Sequence, residues 1–324
     1  MNQLNIWQRM QEYAFAQILL GIVLLVTIVL LSFASPHFLS WDNWRNILDQ
    51  SALQVLIAVG MTFVICTGGI DLSVGAVVAL SGVCMAVAMH NGIPVSYAIL
   101  LGIAAGALVG LSNGILVSWL KLNPFIVSLG TMSVARGIAL IITGGIPIYG
   151  FSTAFTWWGV GQMGPVNPPM LMALFVALLG ALLLNHTKLG YYTLALGGNE
   201  EALRRCGVST GKYKLIIYIL CGITAALGGL VVTARLNTAE PLAGWMFELD
   251  AIAAVVLGGT DMKGGRGSIV GTVMACLLLG ILRNGLTILS IPSYYQQLAI
   301  GLIILVAIII SELRLRNAPG HRNE

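Results

Sequence analysis

Charge is what this sequence has least of. Asp, Glu, Lys and Arg make up 9% of its 324 residues, while apolar types make up 58%. A soluble domain carries roughly 25% charged residues, so the composition excludes an ordinary water-soluble globule and indicates an integral membrane protein. The five cysteines are an odd number with no C-x-x-C spacing, and the four histidines are scattered, which argues against a disulfide framework and a metal site. Cys66, Cys84, Cys221 and Cys276 lie in apolar runs and read as small packing residues, and Cys206 reads as a free thiol in a polar loop. Nucleotide motifs are missing as well. "GVSTGKYK", Gly207 to Lys214, lacks the G-x-x-x-x-G-K-[ST] spacing, and "GGRGSIVG", Gly264 to Gly271, is not G-x-G-x-x-G and follows no strand. Hydrolase signatures of the G-x-S-x-G or H-E-x-x-H type are absent. No catalytic residue, metal or cofactor is therefore expected in the chain. The net charge of +4 reports membrane orientation rather than nucleic-acid binding.

What the sequence has instead is apolar runs of spanning length. A helix needs about 20 mostly apolar residues to cross a bilayer. Such runs lie at roughly 14–34, 50–67, 74–90, 95–119, 125–143, 169–187, 213–234, 247–260, 268–289 and 293–311. The expectation is an all-α polytopic membrane protein of about ten helices. A single transmembrane domain at 14–311 would be flanked by a short segment at 1–13 and a tail at 312–324. The first run exceeds the usual signal-peptide core of about 7–15 residues, so it reads as a span. With the N-terminus inside, Lys121, Lys188, Lys212, Lys214, Lys263, Arg204, Arg205, Arg266 and the charged terminal segments fall on the inner side, against Arg45 and Arg235 outside. That asymmetry predicts cytoplasmic termini.

A few polar groups interrupt the apolar runs. In "CTGGIDLSVG", Cys66 to Gly75, Gly68 and Gly69 can end one helix, and Asp71 can cap the next through the amides near Ser73 and Val74. "GGTD", Gly258 to Asp261, repeats the pattern later, a hint of internal duplication. Asp71 is then either a cap holding a broken helix or a polar group on a solute pathway. Arg136 and Arg283 sit inside spans, with Glu248 and Asp250 as the nearest acids on the eighth. Asn113 and Asn284 suit hydrogen bonds between helices.

The largest inner connection, Asn185 to Lys214, contains one short helix. Asn199 is a good N-cap, Glu200 and Glu201 sit at the positive end of the helix dipole, Arg204 and Arg205 at the negative end, and Gly207 suits the position past the C-terminus. A helix of about 7 residues is unstable alone, so Asn199 to Val208, including Ala202 and Leu203, must pack. It either folds onto its own helices or docks a cytoplasmic protein. On the outer side, the uncharged segment Gly144 to Pro169, rich in Gly, Pro and Trp, suggests an ordered cap.

These blocks carry a resemblance. "AVGMTFVICTGGIDLSVGAVVALSG", "FIVSLGTMSVARGIALIITGG", "LALGGNEEALRRCGVSTGKYKLIIYILCGITAALGG", "FELDAIAAVVLGGTDMKGGRGSIVGT" and "LRNGLTILSIPSYYQQ" resemble the ribose-type sugar permeases of bacterial ATP-binding-cassette (ABC) importers, over about Phe38 to Ser311. The resemblance implies a homodimer in the bacterial inner membrane that imports a monosaccharide. It also implies a tandem-domain cytoplasmic ATPase, carrying ATP and Mg on that partner, and a periplasmic sugar-binding protein. The block from Asn199 to Val208 matches the family's ATPase-coupling segment. Glu240 and Trp245 to Phe247 depart from the ribose pattern, and the implied substrate is a ribose-like pentose, a hexose or a related small sugar. The other reading is a gradient-driven secondary transporter of a small polar solute. Against it, no span presents an Asp/Glu/His relay.

Overall fold

The computed structural model describes residues 6–299, 301, 302 and 305, with side chains from residue 17 onward. The expected tail at 312–324 and the end of the tenth expected span lie outside the described residues.

The described chain is helical apart from one two-residue strand pair. The helices are α1 (Ile6–Ala34), α2 (Trp41–Cys66), α3 (Val74–His90), α4 (Val95–Ser118), α5 (Pro124–Thr143), α6 (Thr153–Val160), α7 (Pro168–His186), α8 (Lys188–Arg205), α9 (Thr210–Leu236), α10 (Phe247–Leu257) and α11 (Ile269–Ile288). A further helical stretch covers 293–299. Their ends follow local chemistry. The Ser40 hydroxyl accepts from the Asn43 amide at α2, Asn123 accepts from Phe125 at α5, where Pro124 supplies the first turn, and Ser268 accepts from Gly271 at α11.

Among the described residues seven helices are long and apolar enough to span a membrane, against the ten runs expected. α3 has 17 residues and α10 only 11. α10 is limited at both ends: the chain before it turns inward, and the left-handed Gly259 closes it. A Cβ on Gly244 would meet the Gly75 carbonyl at the first turn of α3, so the segment before α10 is already inside the bundle.

The bundle is built around α9, which packs on α2, α3, α4, α6 and α8. The closest pairing is α4 with α9. Gly102, Gly106, Gly110 and Gly114 recur every four residues and lie on one face of α4. A Cβ on Gly110 would fall on the Tyr218 carbonyl, and one on Gly106 on the Gly222 carbonyl. With no hydrophobic force between helices in lipid, backbone contact of this kind is what van der Waals packing can exploit. α2 and α9 are buried, whereas α1, α5 and α7 turn Leu25, Ile141 and Phe175 outward, each more than 60% exposed. Apolar outward faces are what a lipid solvent selects.

The uncharged segment Gly144 to Pro169 is an ordered cap on one end of the bundle. β1 (Ile148–Tyr149) pairs antiparallel with β2 (Thr238–Ala239), and the Phe151 amide donates to Asn237 Oδ1 at 2.9 Å. α6 buries Phe155 and rests on α9, where a Cβ on Gly159 would meet the Arg235 amide. Nearby, Arg45 donates to Asn167, whose amide donates to Asp49 at 2.7 Å, tying α2 to the start of α7.

Candidate functional site

Two helix breaks of the same design face each other. α2 ends where Gly68 takes φ +77°, with the Gly68 amide donating to Ile65 O at 2.8 Å and Gly69 to Val64 O at 3.2 Å. α10 ends where Gly259 takes φ +90°, with Gly259 donating to Val256 O at 2.9 Å and Thr260 to Val255 O at 3.2 Å. Left-handed backbone at this position is the glycine-closed helix end. An aspartate follows each break and accepts from the amide two residues on: Asp71 from Ser73 and Asp261 from Lys263, both at 2.9 Å. The two breaks share a glycine closure and an aspartate turn, with the left-handed glycine three residues before Asp71 and two before Asp261.

Asp71 is buried, and its Oδ1 also receives the Ser73 hydroxyl at 2.6 Å and the Asn113 amide at 3.2 Å. Asn113 donates to Ser73 Oγ at 2.9 Å and accepts from Thr131 at 2.6 Å. One carboxylate therefore gathers the break after α2, α4 and α5 into a single network. A carboxylate with several donors is satisfied without a cation. Nothing in the sequence marks Thr131 of α5, since a threonine in an apolar run looks the same whether it bonds its own helix or a neighbour.

The two breaks pack against each other and against α8. The Gly265 amide donates to the Cys66 carbonyl at 2.9 Å. A Cβ on Gly197 would land on that carbonyl and on the Gly265 amide, and one on Gly264 would meet the Gly68 amide and Gly197 Cα. Three chain segments meet with backbone against backbone.

Just beyond this contact α8 is broken at Asn199, whose backbone is extended at φ −162°, ψ 94°. Asn199 Oδ1 accepts from the Ala202 amide at 2.9 Å, starting a second short helix. It ends as the sequence suggests, with Gly207 at φ +81° and the Val208 amide returning to Leu203 O at 3.3 Å. Leu203 and Val208 are half-buried, while Glu201, Ala202, Arg204 and Arg205 are exposed. Glu201 pairs with Arg204 and, at 3.2 Å, with Arg205. Glu200 pairs with Lys214 of α9 at 2.5 Å, anchoring the short helix to the bundle. The outward face is a compact array of both charge signs.

The intramembrane candidates fall in separate places. Arg283 of α11 pairs with Asp250 of α10 at 3.0 Å. The neighbouring Asn284 donates to Asn43 of α2 at 2.9 Å. Arg136, whose place inside a span suggests an acid partner or an interface, donates to two backbone carbonyls, Pro241 O at 3.1 Å and Ala243 O at 2.5 Å, with Glu248 within electrostatic reach. It holds the inward-turning segment before α10. The carbonyls of an irregular segment need donors at membrane depth, a demand invisible in the sequence because the segment reads there as an outer loop.

Residues 43–308 match the family described as branched-chain amino acid transport system / permease component. The ribose import permease RbsC of Escherichia coli (strain K12) is 43% identical over 293 residues, 89% of this chain and 91% of that protein. RbsC of Bacillus subtilis (strain 168) is 45% identical, covering 90% of each chain. The D-allose transport system permease AlsC of E. coli (strain K12) is 39% identical, again over 90% of each. The resemblance read from the sequence blocks is borne out: this chain belongs to that permease-component family, alongside the ribose-type sugar permeases of ABC importers.

Proposed function

We propose that the chain is the membrane-spanning subunit of a bacterial inner-membrane importer that carries a neutral monosaccharide into the cytoplasm. Its relatives are named as ribose and allose permeases, which favours a sugar over another small solute and ATP-driven import over a gradient-driven carrier. It acts as a homodimer with both termini cytoplasmic. It is served by a periplasmic sugar-binding protein and powered by a tandem-domain ATPase that holds ATP and Mg.

The observation that carries the reading is the short helix from Glu200 to Arg205. It is exposed and charged on one face, and its base at Gly197 is seated on the breaks after α2 and α10. A push on this helix by an ATPase would reach the ends of two core helices through rigid backbone contact, not through mobile side chains. Asp71 belongs to the scaffold that keeps the first break in place, and the Asp250–Arg283 pair lies nearer the outer end.

The test is reconstituted uptake with Glu201→Lys and Arg204→Glu. Either reversal is expected to abolish sugar uptake and ATPase co-purification while the permease stays folded by thermal unfolding in detergent. Uptake at the parent rate by both variants would refute the docking role.

A further inference from the structure

A small cavity of mixed character lies between α2, α9, α10 and α11. Gln50, Gln54, Arg235, Asp250 and Arg283 line it together with apolar Leu53, Ile57 and Phe247. Its volume is about 130 Å³ and it is open on one side, so it can seat one face of a sugar ring without enclosing the whole sugar. Gln50 and Gln54 stand one turn apart on the same face of α2. Arg235 lies in the last turn of α9, Asp250 in the first turn of α10, and Arg283 in the last third of α11. All are toward the end of the bundle that carries the β1–β2 cap.

From this lining we infer that the cavity is a transient holding site for the ring of a neutral polyhydroxylated solute on its way through the permease; the inference rests on the import reading above. Two guanidinium groups, a carboxylate and two amides facing hydrocarbon at this depth would be costly, so this face borders water. The chemistry selects among solutes. Asp250 accepts and Arg283 donates side by side, 3.0 Å apart, which suits adjacent hydroxyls that each donate and accept. Each glutamine offers both roles in one side chain, and Phe247 closes one wall with an apolar face. An anion fits less well, because Arg283 already meets both oxygens of Asp250 and Arg235 has Asp49 within electrostatic reach. Asp250, the one carboxylate of the lining, is already paired with Arg283, which likewise disfavours a cationic solute. With half-exposed walls the site is shallow, as a carrier that must also release requires.

The experiment uses the full importer in proteoliposomes with its ATPase and binding protein. Gln54→Cys is made in a Cys206→Ser background, which removes the exposed native thiol. Cys66, Cys221 and Cys276 are buried, and Cys84 is half-buried, so the background protein sets the baseline. A membrane-impermeant maleimide is added to the detergent-free permease, with D-ribose, D-allose, D-galactose or ribose 5-phosphate as protectant. The expected result is labelling above baseline, slowed at least about threefold by a neutral sugar. Independently, Gln54→Ala is expected to raise the KM for uptake about three- to tenfold, the loss of one hydrogen bond. No labelling, labelling that no neutral sugar slows together with an unchanged KM, or stronger protection by ribose 5-phosphate overturns the inference. If the parent importer takes up none of the neutral sugars, the import reading itself fails; a working parent with an unprotected Gln54→Cys refutes the holding site alone.

Discussion

Gly197 of α8 sits against Cys66 at the end of α2, so closely that a Cβ on Gly197 would overlap the Cys66 carbonyl oxygen and the Gly265 amide that donates to it. Neither obstacle is a flexible side chain. Gly197→Ala is therefore expected to force backbone apart, at about 1–3 kcal/mol for overpacking, and to lower the detergent unfolding temperature. Gly198→Ala, next in sequence, meets nothing within 4 Å and is expected to leave stability unchanged. Equal stability of the two variants would show that the three segments do not share one packed contact.

The second half of α8 depends on its first residue. Removing the Asn199 cap is expected to cost about 1 kcal/mol of local helix stability. Hydrogen exchange at the amides of 201–206 should speed several-fold in Asn199→Ala and stay near the parent in Asn199→Asp, which retains the acceptor. ATPase co-purification should follow the same order. Unchanged exchange in Asn199→Ala would show that the half-buried Leu203 and Val208 hold the helix without the cap.

Asp71 and Asn113 can be separated by chemistry. Asp71→Ala leaves the Ser73 hydroxyl and the Asn113 amide without their shared acceptor, a cost of about 1–3 kcal/mol. Asp71→Asn keeps one acceptor oxygen and is expected to retain most of the stability and the uptake. Normal stability with lost uptake in Asp71→Asn would instead assign the carboxylate to the solute pathway.

Arg136 holds the segment before α10 through two carbonyls. Arg136→Met removes both donors at similar length. Hydrogen exchange at 242–247 is expected to rise at least about tenfold, since roughly 1.4 kcal/mol of lost restraint gives that factor and two bonds to a charged donor exceed it. Exchange as slow as in the parent would show that the contact of Gly244 with Gly75 suffices.

The α4 stripe offers the largest expected effect. Gly110→Leu would drive a side chain into the Tyr218 carbonyl and is expected to prevent α4 and α9 from pairing, read as loss of a monodisperse species in detergent. Gly137→Ala on α5, where nothing lies within 4 Å, serves as the neutral control.

Much of this molecule is decided along the chain. The scarcity of charge and the length of the apolar runs require a membrane bundle, because hydrocarbon admits little else. The short helix after Asn199 is also legible, since Asn199, the Glu200–Glu201 and Arg204–Arg205 pairs and Gly207 each act within one turn of backbone. The glycine break before Asp71 and its echo before Asp261 are local in the same way. What the chain order cannot contain is which segments touch. The segment before α10 turns inward because Gly244 packs on Gly75, far away in sequence. Arg136 serves carbonyls instead of an acid because that same inward turn exposes them. Gly197 reads as an ordinary helical glycine until the two breaks close around it. Periodicity, caps and charge are set by neighbours in sequence; backbone-to-backbone contact and the satisfaction of buried polar groups depend on distances that exist only once the helices have packed.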